Sequence, residues 1–188
     1  MKSDLVKNWF GPQFALLHPL LQQLHEQGGR LRGPVTVRVG RGFTGWLGRR
    51  LAHKMGVPLG LGACQLQVDI SHHGQQLRWA RQFIAADGRA QIMVSHFDAV
   101  GQWPMGHWFE QTGALRFKLT VDVREGTWHW RVLGVTLHGI PVPALLLPRS
   151  HASKRIENDA YRFEVVFAAP LLGELLRYQG LLALQPED

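Results

Sequence analysis

The sequence predicts a mainly β protein: a single antiparallel β-barrel or strongly curled half-barrel, with short helices near both termini. The clearest observation is the stretch 115–123, in which apolar and polar side chains alternate without interruption. Because successive side chains of a strand point to opposite faces, the apolar ones line one face and the polar ones the other. The same pattern recurs along the chain, with tight-turn residues between the repeats. These features are typical of half-buried antiparallel strands joined by hairpins.

The first segment, 1–60, is predicted to form a helical cap and the first strand. Pro19 suits the first turn of a short helix, with His18 as its cap, and Gly28-Gly29 ends that helix. Residues 35–39 alternate and predict the first strand. Thr44 is a suitable N-cap for a second helix that ends near residue 55.

The segment 61–168 is predicted to be an antiparallel meander, because its period changes to two. Turns are expected at residues 72–74, 86–88, 111–113, 125–126 and 158–159. One strand is expected around 103–110 and another over 127–137, where a change of phase at Leu133-Gly134 indicates a β-bulge.

The last segment, 169–188, is predicted to hold a short C-terminal helix over 170–178 and a last strand over 181–184. The inward side of that helix is assigned to Leu171, Leu172, Leu175 and Leu176. A total of about eight or nine short strands favours closure, because a closed sheet has no exposed edge. The expected architecture is similar to that of lipocalins and calycins, as one domain over 1–188.

Composition sets further limits on the class of protein. The chain has 188 residues, 45% of them hydrophobic, and can bury a substantial core. The longest strongly apolar run, 140–148, contains Pro141 and Pro143 and is far shorter than the ~20 residues of a membrane-spanning helix. The N-terminus lacks the apolar core of a secretory signal, and the single cysteine, Cys64, excludes an internal disulfide. These features predict a cytoplasmic protein.

The chain is basic, with a formal net charge of +7 and a pI of about 10.3. The basic residues are scattered, and the densest zone lies between Arg30 and Lys54. We interpret this zone as a solvated basic face; acidic ligands, an anionic membrane and nucleic acid are the alternatives. Seven tryptophans are available to stack on bases, but no basic stripe lies beside them, so nucleic acid is not favoured as a partner.

A series of short motifs runs through most of the chain. In order they are Leu17-His18-Pro19, Gly40-Arg41-Gly42, Trp79-Ala80-Arg81-Gln82-Phe83, Gly139-Ile140-Pro141-Val142-Pro143, Pro148-Arg149, Pro170-Leu171-Leu172-Gly173 and Tyr178-Gln179-Gly180. Together they resemble a bacterial family that is classed only as a domain of unknown function. Members occur alone or fused C-terminal to saccharopine-dehydrogenase-like or short-chain reductase modules. The resemblance implies one compact unit, which in some members has a reductase partner, and no established activity. The chain itself has no Gly-x-Gly-x-x-Gly dinucleotide fingerprint.

Arg81 is the first candidate site residue. On the phase set by Trp79 and Phe83 it points to the apolar face, where an unpaired charge is very costly. One interpretation is an anion anchor inside the barrel for a fatty acid or another carboxylate. The alternative is a structural ion pair with Glu110 or Glu157. Glu110 is a candidate both as that partner and as an acid or base.

Aromatic residues on the apolar phases are the candidate walls of a cavity: Trp79, Phe83, Phe117, Trp128, Trp130 and Phe163. Large rings with a polar N–H suit pocket walls. A solid core layer is the alternative.

The segment 139–148 is too rich in proline for a central strand and too apolar for an ordinary loop. One interpretation is a lid over an apolar cavity. A second is a peripheral membrane contact through 139–149, with Arg149, Lys154 and Arg155 towards anionic lipid. The third is a buried loop that plugs one end of the barrel.

The sequence predicts no metal site and no cofactor. Metal ligation needs side chains that converge, whereas His72 and His73 are adjacent in an expected turn and diverge. No Gly-x-Ser-x-Gly elbow occurs, and Cys64 is expected to be an inert core thiol.

Three functional hypotheses follow. The first is a module that binds a hydrophobic or amphipathic small molecule, with Arg81 as the anchor. The second is an enzyme, or an accessory domain of a reductase, in which Glu110 or a histidine acts as acid or base; it requires a polar group in the cavity that has no structural partner. The third is a structural or interaction domain with a solid interior and Arg81 at a surface.

Overall fold

The alternating stretches of the sequence form strands, ten of which close into an antiparallel β-barrel. The computed structural model describes residues 3–60, 64–143, 149–169 and 171–186, with the backbone alone at 149 and 150. Its strands are β1 (Gly29–Val39), β2 (Cys64–His73), β3 (Gln76–Ala85), β4 (Ala90–Val100), β5 (His107–Thr112), β6 (Leu115–Arg124), β7 (Thr127–Leu137), β8 (Ile140–Pro141), β9 (Arg149–Glu157), β10 (Ala160–Ala169) and β11 (Gly173–Gln185). The predicted fold class is confirmed, and the barrel is closed.

Two long-range sets of pairings close the ring. β1 pairs with both β2 and β11, and β7 pairs with both β6 and β9. The two-residue β8 pairs with the end of β7 and is not a member of the ring. The predicted bulge is confirmed, because Lys118 pairs with Gly134 and Leu119 pairs with Val132, so the register skips Leu133.

Helices cover both ends of the barrel. They are α1 (Leu5–Phe10), α2 (Pro19–Gln27) and α3 (Gly42–Met55), and the 3₁₀ segment Gly11–Leu16 connects α1 to α2. The backbone N–H of His18 donates to the carbonyl of Gly126 in the β6–β7 turn (3.2 Å), which places α2 at that end. Gln91 at the start of β4 donates to the carbonyl of Gly56 (3.0 Å), which places the end of α3 at the opposite one. None of the helices in the described ranges has the length and apolar character needed to cross a membrane.

Local chemistry sets the helix ends. His18 caps α2 as predicted, since its Nδ1 accepts from the N–H of Leu20 (3.2 Å). At α3 the N-cap is Arg41, not Thr44; the Thr44 hydroxyl lies inside the first turn and donates to the carbonyl of Arg41 (2.7 Å). Gly56 ends α3 in the left-handed conformation, with φ of 80°.

The predicted C-terminal helix over 170–178 is wrong. Residue 170 lies outside the described residues, and 173–178 belong to β11. The leucine spacing fits both a helix and a strand, and pairing with β1 and β10 on its two sides decides for the strand. Leu176, Tyr178 and Leu182 are buried on its inner face, whereas Leu171 is fully exposed.

The first strand also differs from its prediction, because it begins at Gly29 and not at residue 35. A glycine–proline pair at 33–34 hides the alternation of its first half. Gly33 faces inwards at a close approach of two backbones: a Cβ there would lie 2.2 Å from the carbonyl oxygen of Leu181.

Two predicted boundaries in the meander are corrected. β5 begins at His107, and residues 101–106 form the β4–β5 connection. His72 and His73 belong to β2, where they pair with Leu77 and Gln76, so the turn is confined to residues 74–75.

Candidate functional site inside the barrel

A cavity lies inside the barrel. Its volume is about 80 Å³. Apolar and aromatic residues form most of its wall, and Met55 of α3 contributes to it. The polar side chains in the wall are Arg81, Glu110, Ser153, Lys154, Tyr161 and Tyr178. The cavity therefore combines an apolar lining with a small cluster of ionisable groups.

Arg81 points into the barrel, as its position on β3 predicts, and only 12% of its side chain is exposed. Its guanidinium donates to the Ser95 hydroxyl (2.6 Å) and lies 3.7 Å from a carboxylate oxygen of Glu110. It also lies 5.4 Å from the ring centroid of Trp79. The ion pair with Glu110 is thus present, whereas Glu157 pairs with arginines of β9 and β10.

Two buried hydroxyls connect Arg81 to Glu110. The hydroxyls of Ser95 and Thr112 lie 2.6 Å apart, and Thr112 donates to Glu110 (3.0 Å). Neither Ser95 nor Thr112 is exposed. Because β3, β4 and β5 each contribute to this network, it holds Arg81 in one orientation. One of the five guanidinium N–H groups donates to Ser95, and the side chain also lines the cavity.

Lys154 is the residue that sequence reasoning placed wrongly. One interpretation of the sequence directs it towards anionic lipid, but it is 7% exposed and lies inside the barrel. Its register on β9, opposite Phe163 of β10 and Trp128 of β7, directs it inwards. Its Nζ lies 3.8 Å, 4.7 Å and 5.2 Å from the ring centroids of Trp79, Trp128 and Trp130. No hydrogen bond or ion pair joins its amine to another described residue.

The environment of Lys154 disfavours its charged form. Burial lowers the pKa of its amine well below the usual value, and the positive charge of Arg81 lowers it further. The carboxylate of Glu110 opposes both effects without reversing them. The indole faces favour a cation as well, but three such contacts do not replace the hydration that burial removes.

The two tyrosines of the wall remain phenols at neutral pH. Burial raises the pKa of Tyr178 to about 12 and raises that of Tyr161 well above its usual value, although Arg81 acts in the opposite direction. The Tyr161 hydroxyl is buried and has no hydrogen-bond partner among the described residues. It is therefore a buried donor without an acceptor, on a residue of the cavity wall.

A buried histidine of α2 lies next to this cluster. His25 stacks on Trp128 at 4.5 Å and on Trp79 at 6.0 Å, and neither ring nitrogen has a partner among the described residues. Burial lowers the pKa of His25 well below its usual value, and the charges of Lys154 and His72 add to that effect. His25 is therefore a neutral ring at neutral pH.

The predicted site residues divide into three groups. The cavity wall contains Trp79, Arg81, Glu110, Phe117, Trp130 and Phe163. Phe83 and Trp128 are buried in the barrel but do not line the cavity, and Trp128 is instead covered by His25. The backbone of Arg149 begins β9, and its side chain lies outside the described residues.

The structure also locates other residues that the sequence singles out. Cys64 is buried, and burial raises the pKa of its thiol. Ile140 is exposed, and residues 144–148, on which the lid, membrane and plug interpretations depend, lie outside the described residues. In the ranges that the structure describes, no three histidine, cysteine or acidic side chains are grouped to hold a metal ion.

The fold and the interior define a small closed β-barrel with an ionisable cluster in an apolar cavity. The chain belongs to the family described as a domain of unknown function, DUF4166, whose model matches residues 17–182. The crystal structure of Rv2717c from M. tuberculosis is similar, with a TM-score of 0.50 and 16% sequence identity over 90% of this chain and 99% of that chain. That likeness concerns the fold alone. No curated protein matches the sequence.

Proposed function

We propose that the protein binds a small amphipathic molecule, with a carboxylate or a similar acidic group, inside the barrel. The observation that carries this proposal is the excess of basic over acidic side chains: Arg81 and Lys154 line a cavity in which Glu110 is the one carboxylate among the described residues. An anion in the cavity gives Lys154 the partner that it lacks among the described residues, and the Tyr161 hydroxyl is a further donor.

The cavity volume restricts the size of the ligand. A space of about 80 Å³ is far below the ~300–1,000 Å³ of pockets for drug-sized molecules. A short organic acid fits the cavity as it stands. A long-chain lipid requires that part of the wall move, and Met55 at the α3 end is the flexible side chain placed to do so.

Binding of an anion should be coupled to proton uptake. Because the pKa of Lys154 is lowered in the empty cavity, an adjacent carboxylate will raise it and draw a proton from solution. Affinity is then expected to fall as the pH rises. Calorimetry in buffers of different ionisation enthalpy measures the number of protons taken up.

The test compares straight-chain monocarboxylates with their neutral amides by calorimetry, alongside native mass spectrometry of protein purified from cells. We expect the acids to bind and the amides to fail. Arg81→Gln should weaken binding roughly 10- to 100-fold, as expected for loss of a charge-assisted contact, while Arg116→Gln on the outer face of β6 should not. Repeated recovery of empty protein, with no acid bound, overturns the proposal.

The second candidate is an enzyme, or an accessory domain of a reductase, that uses the same cavity. It is favoured by two polar groups of the cavity wall that form no hydrogen bond or ion pair with a described residue, the Lys154 amine and the Tyr161 hydroxyl. Only the sequence resemblance supports a reductase partner. Turnover of a bound acid or carbonyl compound, tested with and without reduced nicotinamide cofactor and a reductase, distinguishes this candidate from a binding module.

A further inference from the structure

We propose that Lys154 is a covalent attachment site, and that its amine forms an imine with an aldehyde or ketone group of the ligand. This inference deepens the proposed function and rests on it, because the same cavity must admit a ligand. It is carried by geometry: the amine lies in the wall of the cavity, in contact with three indole rings and with no hydrogen-bond partner among the described residues.

The reaction needs no further reagent. The lone pair of the neutral Nζ attacks the carbonyl carbon, and the carbonyl electrons move to oxygen, which takes a proton. Nitrogen loses a proton, and the hydroxyl of the carbinolamine takes a second one. Its carbon–oxygen bond then breaks, and water leaves as the lone pair of nitrogen forms the double bond of a protonated imine. The phenols of Tyr161 and Tyr178 and the carboxyl of Glu110 are the groups in the same wall that can carry these protons.

Two physical features suit Lys154 to this step. A lysine amine becomes a nucleophile when an apolar site and a neighbouring cation keep it neutral, and the indoles and Arg81 provide both. A protonated imine retains a positive charge at the same place, where the faces of Trp79, Trp128 and Trp130 stabilise it. A lysine that served only to pack these rings would need no adjoining cavity.

The test uses wild-type protein and propanal, a carbonyl probe small enough for the cavity. After incubation at pH 7 and reduction with cyanoborohydride, intact mass should show one added propyl group, and peptide mapping should place it on Lys154. Labelling of the exposed Lys118 on β6 should be at least roughly tenfold slower, and Lys154→Met should lose the fast label.

The outcomes separate this inference from the proposed function. If carboxylates bind but Lys154 is labelled no faster than Lys118, covalent attachment is wrong and the binding proposal stands. If neither acids nor propanal enter the barrel, both are wrong. Because the comparison of two lysines is made in the wild-type protein, it does not depend on the folding of a variant.

A second inference rests on an independent surface, the exposed face of α3. Phe43 and Trp46 are 62% and 46% exposed, and their rings stack with centroids 5.7 Å apart. The guanidinium of Arg50 lies 5.0 Å from the Trp46 ring centroid. Arg41 and Arg49 are exposed beside them, and none of these three arginines forms an ion pair with a described residue. These arginines belong to the densest basic zone of the sequence, between Arg30 and Lys54.

Two more apolar side chains lie at the same end of the barrel. Leu171 and Leu172, in the β10–β11 turn, are 106% and 45% exposed. The N–H of Gly40, just before α3, donates to the carbonyl of Leu175 (3.0 Å), which fixes the start of α3 against β11. Aromatic and leucine side chains that project among unpaired arginines are typical of a surface that lies on an anionic membrane.

We infer that this face binds the surface of anionic lipid bilayers. Co-sedimentation should show binding to vesicles of phosphatidylglycerol and phosphatidylcholine, little binding to phosphatidylcholine alone, and loss of binding at high salt. The double variant Phe43→Ala/Trp46→Ala should weaken binding to vesicles roughly tenfold or more. Met105→Ala is the control and should leave binding unchanged, because Met105 is 91% exposed in the β4–β5 connection at the opposite end of the barrel. Equal binding to both vesicle types, or binding of duplex DNA without binding of vesicles, overturns the inference.

Discussion

Replacement of Lys154 by methionine should make the protein more stable at neutral pH. Methionine has a similar length, fits among the same rings and carries no charge. Exchange of a buried charged group for an apolar one of similar volume is typically neutral to stabilising, by about 1–4 kcal/mol. Against this, each indole contact favours an ammonium by about 0.5–2 kcal/mol. The pKa of Lys154 is nevertheless lowered well below its usual value, so burial and Arg81 outweigh the attraction of the rings. We expect Lys154→Met to raise the free energy of unfolding by about 1–3 kcal/mol.

The pH dependence gives a second, sharper signature of the same lysine. Its pKa is lower in the folded than in the unfolded protein, so between those two values the unfolded chain binds a proton that the folded chain does not. Stability of the wild type should therefore rise with pH in this window, by up to about 1.4 kcal/mol per pH unit, and reach its full value near the unfolded pKa of ~10.4. Below the folded pKa the penalty is constant. Lys154→Met should abolish this slope.

Urea unfolding, followed by tryptophan fluorescence at pH 7, 8 and 9, measures both quantities. Lys118→Met is the matched control, because Lys118 is exposed on β6 and its replacement should change stability by less than about 0.5 kcal/mol. The reasoning is refuted if Lys154→Met is less stable than the wild type by more than about 1 kcal/mol and keeps the wild-type slope. Lys154 would then be a cation that stabilises the fold through its rings.

Three further predictions concern the network, the histidine and α3. Ser95→Ala removes the hydroxyl that accepts from Arg81 and leaves a buried guanidinium N–H without that partner. Thermal unfolding should show a loss of stability of about 1–3 kcal/mol. No loss would mean that Arg81 finds another acceptor. Below pH ~6.5 the histidine at position 25 binds a proton in the unfolded chain but not when it is buried in the folded protein. Wild-type stability should therefore fall on acidification, by up to about 1.4 kcal/mol per pH unit. His25→Phe should reduce this slope, and equal slopes in the two proteins would contradict the assignment. Gly48→Ala places a Cβ 1.9 Å from a backbone oxygen of β11 and should lower the free energy of unfolding by about 1–3 kcal/mol. The control Gly134→Ala, whose Cβ would have nothing within 4 Å, should lower it by less than half as much. Equal losses would show that α3 shifts to relieve this contact.

The part of the site that lies on regular strands could be predicted from the sequence. Trp79 and Phe83 fix the inward phase of β3, and that phase alone places Arg81 inside the barrel. Phe117 on β6 follows from the same argument. Each of these predictions needs only the two-residue period of a strand, which is a local property.

Lys154 could not be placed in this way. β9 runs through a polar stretch in which Ile156 is the one large apolar side chain among the described positions, so its phase is weakly marked in the sequence. Its direction is decided by pairing with β10 and with β7, and the register with Trp128 joins residues far apart in the chain. The helix predicted over 170–178 is wrong for a similar reason, because only the long-range partners of β11 distinguish a strand from a helix there.

The Trp79 ring is the common contact of the groups that make this interior unusual. The guanidinium of Arg81 lies 5.4 Å from its centroid, the amine of Lys154 3.8 Å and the ring of His25 6.0 Å. His25 belongs to α2, and the charge of Lys154 is one of the causes of its lowered pKa. A ligand anion beside Lys154 therefore changes the electrostatic field at His25 as well. If the cavity binds an anion as proposed, its occupation and the protonation of His25 are linked, and by reciprocity a protonated His25 alters the affinity of the cavity by the same factor.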